Sequence, residues 1–244
     1  MILATTSPSY AQTLDRENQK QWLDHYMKQK NAPKPEEMLL NTDPEPNLTD
    51  GFEQLFNGKD LSGWQTLGGK CKFEAKDGMI LGTCVPGTDS TYLCTKKSDY
   101  TDFVFTCDLK WEEDGNSGIM FRAKQRPGKN DKVVVYGPQA EMEEHTKKRG
   151  WSGGVYGQSC GGYFYPLWLE EHKDARAAQN TDWNRITIHA QGSAVKTWIN
   201  GVPAAHWVDK DGEYESGYFG LQIHKGKKGK ILFRNASVKE LVKE

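Results

Sequence analysis

The sequence predicts an all-β sandwich. Short runs of period-2 hydrophobicity recur through most of the chain, Gly, Asn and Asp punctuate them, and almost no window repeats at helical spacing. Before those runs, residues 12–30 contain Leu14, Trp22, Leu23, Tyr26 and Met27, the last four placed to share one face of a short amphipathic helix. From Asn31 to Asp50, Pro33, Pro35, Pro44 and Pro46 alternate with acidic residues. Proline fixes φ and removes a donor, so this stretch reads as an extended linker, with the folded domain starting near Gly51. The expected strands are 71–75, 79–83, 91–95, 102–112, 117–123, 132–143, 153–157, 184–190, 194–199, 217–224 and 230–239. Between Phe103 and Glu112 the apolar side chains fall on odd numbers, while Asp108, Lys110 and Glu112 point the other way. One sheet face packs the core and the other is polar. Asn57-Gly58, Asp77-Gly78, Asn200-Gly201 and Asp211-Gly212 supply the positive-φ pairs that two-residue hairpins demand.

Composition narrows the class of partner. The 244 residues are 36% hydrophobic and 27% charged, with 11% aromatic residues and eight Trp, too much ring surface for a disordered chain. Lys and Arg total 32 against 33 Asp and Glu, a net charge of −1, which argues against nucleic acid or an anionic membrane as partner. No run is long and apolar enough for a membrane span, so the chain as given is expected to be soluble. Met1–Gln12 resembles the tail of a bacterial secretory signal, which points to a periplasmic or secreted protein; an unstructured start is the alternative. Cys71, Cys84, Cys94, Cys107 and Cys160 have no CxxC spacing. They read as buried thiols, with Cys84 and Cys94 the pair close enough in sequence to join across strands after export. Lys225–Lys230 reads as a solvated hairpin tip.

The most unusual segment is Tyr136–His145. On a strand rising roughly 3.4 Å per residue, Gln139, Glu141, Glu143 and His145 alternate onto one face in steps of about 7 Å. Neighbouring carboxylates raise each other's pKa and can divide general acid and base work. The alternative is a solvated edge strand. In Asn116–Arg122, Asn116, Met120 and Arg122 share a face; Arg122 can clamp oxygens, or merely pair with Asp108 or Glu112. Gln222 and His224 share a face near the end of another run, where a lone His is usually structural. Trp151, Tyr156, Tyr163, Tyr165 and Trp168 crowd one Gly-rich stretch, either as a sugar-stacking platform or as a small satellite core.

Phe52–Trp64, Asn116-Ser117-Gly118-Ile119 with Arg122, Gln139 with Glu141, Val155-Tyr156-Gly157, Asp182-Trp183-Asn184, Trp198–Gly201, Gly220–His224 and Phe233-Arg234-Asn235 follow in an order that resembles the 3-keto-disaccharide hydrolase domain family. That family, formerly a domain of unknown function, lies within the concanavalin A-like lectin/glucanase superfamily. The resemblance spans roughly residues 51–241. It implies a concanavalin A-like jelly roll of two antiparallel sheets with a sugar on its concave face, in a protein exported by glycan-degrading bacteria. Family members often carry a Lys-Pro pair before the Trp-Asn motif; Ala177-Ala178-Gln179-Asn180 stands there instead, so the substrate end of the groove is expected to differ.

The chemistry implied is cleavage of 3-keto-glycosides. A ketone at C3 acidifies the C2 proton, so a base can form an enolate and expel the C1 substituent. The expected base is His145 or Glu141. Arg122 or a bound divalent cation would stabilise the enolate, and His224 or Glu143 would help the leaving oxygen depart. Asn116, Gln139, Tyr156, Trp151, Gln222 and Asp108 are the expected sugar contacts, and a sugar 3-oxidoreductase the expected functional partner. Two rivals stay open: a non-catalytic carbohydrate-binding module, and an ordinary glucanase using Glu141 and Glu143 as paired acids.

Overall fold

The alternating runs become two stacked antiparallel sheets in the computed structural model, which describes residues 12–242. In chain order the strands are β1 (Glu53–Gln54), β2 (Trp64–Gly68), β3 (Lys72–Lys76), β4 (Met79–Thr83), β5 (Thr91–Thr95), β6 (Phe103–Glu113), β7 (Ser117–Pro127) and β8 (Val133–Met142). They continue with β9 (Val155–Gln158), β10 (Gly162–Tyr165), β11 (Asn184–Gln191), β12 (Ala194–Ile199), β13 (Val202–Val208), β14 (Tyr218–Ile223) and β15 (Lys230–Glu240). One sheet runs β13-β12-β11-β6-β15-β4-β3 with β1 beside β15; the other runs β10-β9-β8-β7-β14-β5-β2. The architecture is the predicted jelly-roll sandwich. Runs of consecutive strands at the sheet edges are joined through non-consecutive pairs such as β6 with β11 and β15 and β14 with β5 and β7, so each sheet is assembled from distant parts of the chain.

The period-2 pattern explains the core. Phe103, Phe105, Cys107 and Leu109 of β6 are buried, while Asp108 and Lys110 point outward. Phe105 stacks at 4.5 Å on Phe219 of β14, and Phe103 meets the same ring edge-on at 4.7 Å, so one side chain joins the two sheets. Burying each such ring stabilises the fold by roughly 2–3 kcal/mol.

Asp77-Gly78 and Asn200-Gly201 turn the β3–β4 and β12–β13 hairpins, with φ of +50°, +76°, +52° and +85°. The other two pairs do not close hairpins. Asn57 caps a loop through its side chain, accepting from the backbone of Lys59 and Asp60, and Asp211-Gly212 lies in the crossover from β13 to β14. β8 stops at Met142, so Glu143 and His145 leave the strand that was expected to carry them.

The segment before Gly51 is built onto the sandwich. Helix α1 (Arg16–Tyr26) is capped by Asp15, whose carboxylate accepts from Asn18 N at 3.0 Å and pairs with the distant Arg176 of α2 (Lys173–Ala177). It buries Leu23 and half-buries Trp22 and Tyr26, but Met27 is exposed. The Pro-rich stretch is not a free linker. It straps the outer face of β11 and β12, where Glu45 accepts from Arg185 and from Thr187 Oγ1 (2.6 Å), and Asp43 O accepts from Trp198 Nε1 (3.0 Å). Met1–Gln12, read as a signal remnant, lies outside the described residues except for Gln12.

The five cysteines are free thiols. The Cys84–Cys94 pairing, the alternative for an exported chain, is not supported by the placement: Cys94 packs with Tyr92, Met120 and Tyr218 on the outer side of the seven-stranded sheet, whereas Cys84 follows β4 in the other sheet.

Candidate functional site

A groove of about 690 Å³ lies over the outer face of the seven-stranded sheet. Asn116, Gln139, Glu141, Tyr156 and His224, all expected site residues, line it together with Tyr26, Arg149 and Tyr163. Strand register explains the gathering. Gln139 pairs with Tyr156 of β9 and Met120 of β7, and Glu141 pairs with Gly118. Glycine at 118 is needed for space: a Cβ there would lie 2.5 Å from the Gln139 side chain.

Glu141 is the floor of the groove. Its Oε1 accepts from Asn116 Nδ2 at 2.6 Å and its Oε2 from Gln139 Nε2 at 3.0 Å, yet no cation touches it among the described residues. Burial pushes its pKa up, and the neighbouring Glu143 adds to the rise, against the opposing pull of Asn116, Arg149 and Gln139. A carboxylate raised in this way is a stronger base than a solvated one once ionised. Asn116 ties this carboxylate to His224, whose backbone N–H donates to Asn116 O at 3.1 Å. His224 Nδ1 lies 2.7 Å from Lys225 O. A carbonyl can only accept, so Nδ1 carries the proton and, in the neutral ring, Nε2 keeps its lone pair. Burial lowers the pKa of this histidine and favours that neutral form.

Arg149 was not singled out by the sequence. Its Nε donates to Glu143 Oε1 at 2.6 Å, Nη2 to the Tyr163 hydroxyl at 2.7 Å and Nη1 to the Tyr26 hydroxyl. The guanidinium lies 4.6 Å over the Trp151 ring. Burial pulls its pKa down, but the surrounding Tyr163, Glu143 and Glu141 outweigh that, and the group stays charged. Each tyrosine oxygen that accepts from Arg149 keeps its own O–H free to donate, so the guanidinium backs two hydroxyl donors at the groove wall. One of them comes from α1. Gln19 seats that helix by accepting from Trp151 Nε1 at 2.8 Å and donating to Arg149 O at 3.3 Å, and Gln29 Oε1 accepts from Tyr163 N at 3.0 Å. The signal available in the sequence was an arginine at the head of the aromatic-rich stretch and a helix face with two rings and no assigned partner.

Other expected site residues go elsewhere. Glu143 is fully buried behind Arg149, its second oxygen accepting from Trp151 N at 3.0 Å, so it has no lone pair facing the groove. His145 is exposed in the loop after β8. Arg122 sits in a bulge at φ +46°, which reverses the alternation. Its buried guanidinium donates to the carbonyls of Thr101, Gly192 and Tyr214 and pairs with Asp102, making it a pin between loops rather than a clamp on substrate. Asp108 belongs to the other sheet and is held by Arg234 and Asn235. Trp151 is completely buried under α1, edge-on to Tyr163 and Trp168, so it is core and not a stacking platform. Gln222 lies beneath the groove, donating to Tyr92 Oη at 3.2 Å and Gln158 Oε1 at 3.3 Å. The carbonyl oxygens of Gln139 and Gln222 are buried without a donor. Among the described residues no three His, Cys, Asp or Glu side chains converge on one point.

Residues 51–239 match the model of the 3-keto-alpha-glucoside-1,2-lyase-like domain. The chain belongs to this family. The match takes in the strands that build the groove floor, and it leaves out α1 and the strap. Solved structures share the family member's fold at low identity. A candidate glycosyl hydrolase from Parabacteroides distasonis ATCC 8503 is 20% identical with a TM-score of 0.55, over 82% of this chain and 100% of the other. A Bacillus subtilis protein with a galectin-like fold is 13% identical with a TM-score of 0.56, over 83% and 100%. A carbohydrate binding module, CBM66, from Bacillus subtilis is 14% identical with a TM-score of 0.50, over 73% and 96%. No curated protein matches the chain. Among the described residues, no helix is long and apolar enough to cross a membrane.

Proposed function

We propose that this 3-keto-alpha-glucoside-1,2-lyase-like domain cleaves 3-keto-glycosides by elimination, with Glu141 as the base. The observation that carries the reading is a single buried carboxylate on the groove floor, held by two amide donors and no cation, with its pKa raised. Glu141 takes the C2 proton of the 3-keto sugar. The C2–H electrons form the enolate, then the C1=C2 bond as the C1–O bond breaks, and the departing oxygen recovers the proton. The Tyr26 and Tyr163 hydroxyls, backed by Arg149, supply donors for the enolate oxygen, the role expected of Arg122. The neutral His224 offers Nε2 to a water that adds back at C1. The unpaired amide oxygens of Gln139 and Gln222 suit sugar hydroxyls, which donate.

An ordinary glucanase needs two carboxyl groups across the scissile bond. Glu143, the second acid of that pair, is committed to Arg149 and Trp151 N. The same reading puts the protein in the periplasm or outside the cell, working downstream of a sugar 3-oxidoreductase that supplies the ketone. Incubation with a chromogenic glucoside and with its 3-keto form tests it: release from the keto form alone is expected. Equal release from both would support an ordinary glycosidase, and glycan binding without release from either would leave a binding module.

A further inference from the structure

The β3–β4 hairpin carries a second arrangement of chemical interest, remote from Glu141. Its two-residue turn at Asp77-Gly78 makes Lys76 and Met79 the first pair, and the register continues through Ala75↔Ile80, Phe73↔Gly82 and Lys72↔Thr83. Continued by one step, Cys71 stands opposite Cys84. In a hairpin closed by a two-residue turn, hydrogen-bonded and non-hydrogen-bonded pairs alternate from the turn. Lys76/Met79, Glu74/Leu81 and Lys72/Thr83 are then hydrogen-bonded, and Cys71/Cys84 is not. The backbone agrees, because neither cysteine's N–H bonds the other strand of the hairpin: Cys71 N donates to Thr91 Oγ1 at 2.9 Å and Cys84 N to Gly229 O at 2.9 Å. Non-hydrogen-bonded pairs bring opposing Cα atoms to about 4.5 Å, inside the range a disulfide spans. Burial, and then the Cys71 side chain in contact with it, raises the pKa of the Cys84 thiol.

We propose that Cys71 and Cys84 form a cross-strand disulfide when the protein meets a disulfide oxidant. One thiolate attacks a sulfur of glutathione disulfide, forming a mixed disulfide and releasing one glutathione. The other thiolate then displaces the second glutathione, whose sulfur, like the first, takes up a cysteine proton. The bond staples the open end of a hairpin at the edge of the eight-stranded sheet. It also lies close to the groove rim, because Cys84 Sγ is 3.8 Å from His224 O and Thr91 leads β5. The other thiols offer no such partner: Cys94 and Cys107 sit on separate sheets, and Cys160 follows β9.

The test is peptide mapping of the intact protein, natively treated with glutathione disulfide, alkylated and digested without reduction. A Cys71–Cys84 linked peptide is expected, with Cys94 and Cys107 recovered alkylated after unfolding. The closed loop is short, so the thermal midpoint should fall by about 5–10 °C on adding reductant. That shift should vanish in the Cys71→Ser/Cys84→Ser double variant and persist in Cys160→Ser. Recovery of both Cys71 and Cys84 as alkylated thiols, or a bridge to any other cysteine, would overturn the proposal; the mapping needs no variant to fold.

Discussion

The two outer faces of the sandwich satisfy their polar groups in opposite ways. Over β11 and β12 the chain closes on itself: Glu45 neutralises Arg185 and accepts from Thr187, Lys196 pairs with Asp43, and Asn41 Nδ2 donates to Thr197 O at 2.9 Å. Over β8 and β14 the chain leaves work undone. Two buried amide oxygens have no donor, and Glu141 is buried without a cation against it while the nearby arginine is spent on Glu143. A polar face completed by its own chain is scaffold; one left incomplete, and hollowed into a groove, is where a ligand completes it. The same contrast appears within three residues of chain, since Glu141 and Glu143 are both buried but only Glu143 is neutralised in place.

The sharpest way to break this comparison is Glu141→Gln. If Glu141 is the base, turnover of a 3-keto-glycoside should fall about 10²–10⁴-fold. Stability should move the other way. The folded-state pKa of Glu141 is raised by burial, so its contribution is fully present below the unfolded pKa and is lost as pH rises through the folded value, where a buried charge must form. The variant should therefore match wild type at acid pH and exceed it in thermal midpoint near neutrality, the gap opening above the usual carboxylate range. A midpoint below wild type at neutral pH would mean that the ionised carboxylate holds the fold together, as on the opposite face.

Arg149→Met attacks the neutralised carboxylate instead. Glu143 would be left buried with only the partly exposed Lys147 Nζ, 3.8 Å away, opposite its charge, at a cost of up to about 3–5 kcal/mol in chemical denaturation. Adding Glu143→Leu should recover most of that loss, while activity stays low because Tyr26 and Tyr163 have lost their cationic backing. Recovery of activity in the double variant would show that Arg149 matters only for folding.

How much of this was legible in the sequence follows from which contacts alternation can encode. A strand fixes the face of each residue, so the core side of β6 and the shared floor of Gln139, Glu141, Gln222 and His224 could be read from period 2. The reading failed where the period broke. The bulge between Met120 and Lys124 turned Arg122 away from the groove, and the end of β8 at Met142 released Glu143 and His145. Trp151 is a chemically suitable platform that a docked helix happens to cover. Arg149 and Tyr26 were invisible for another reason: they lie 123 residues apart on a loop and a helix, and no local pattern announces that they meet.

Tyr26→Phe sharpens the comparison at lower cost. The ring contacts with Trp151 and Tyr163, at 5.0 and 5.1 Å, are kept and only the hydroxyl is lost. Turnover should drop by about tenfold and the thermal midpoint by several degrees, since the hydroxyl accepts from a charged guanidinium and such a bond contributes about 1.5–3 kcal/mol. A variant with normal turnover would make α1 packing alone, despite its place at the groove wall.

The smallest effect belongs to the covered face. Glu45→Ala removes the acceptor shared by Arg185 and Thr187, but Arg185 is partly exposed and regains water, so the loss should be only about 1 kcal/mol. Salt should shrink the loss further, because it screens the Arg185–Glu45 pair of the wild-type protein. Turnover should not change at all, since the strap lies across the opposite sheet from Glu141. A loss of turnover without a loss of stability would couple the two faces through the core, and the scaffold would then be part of the site.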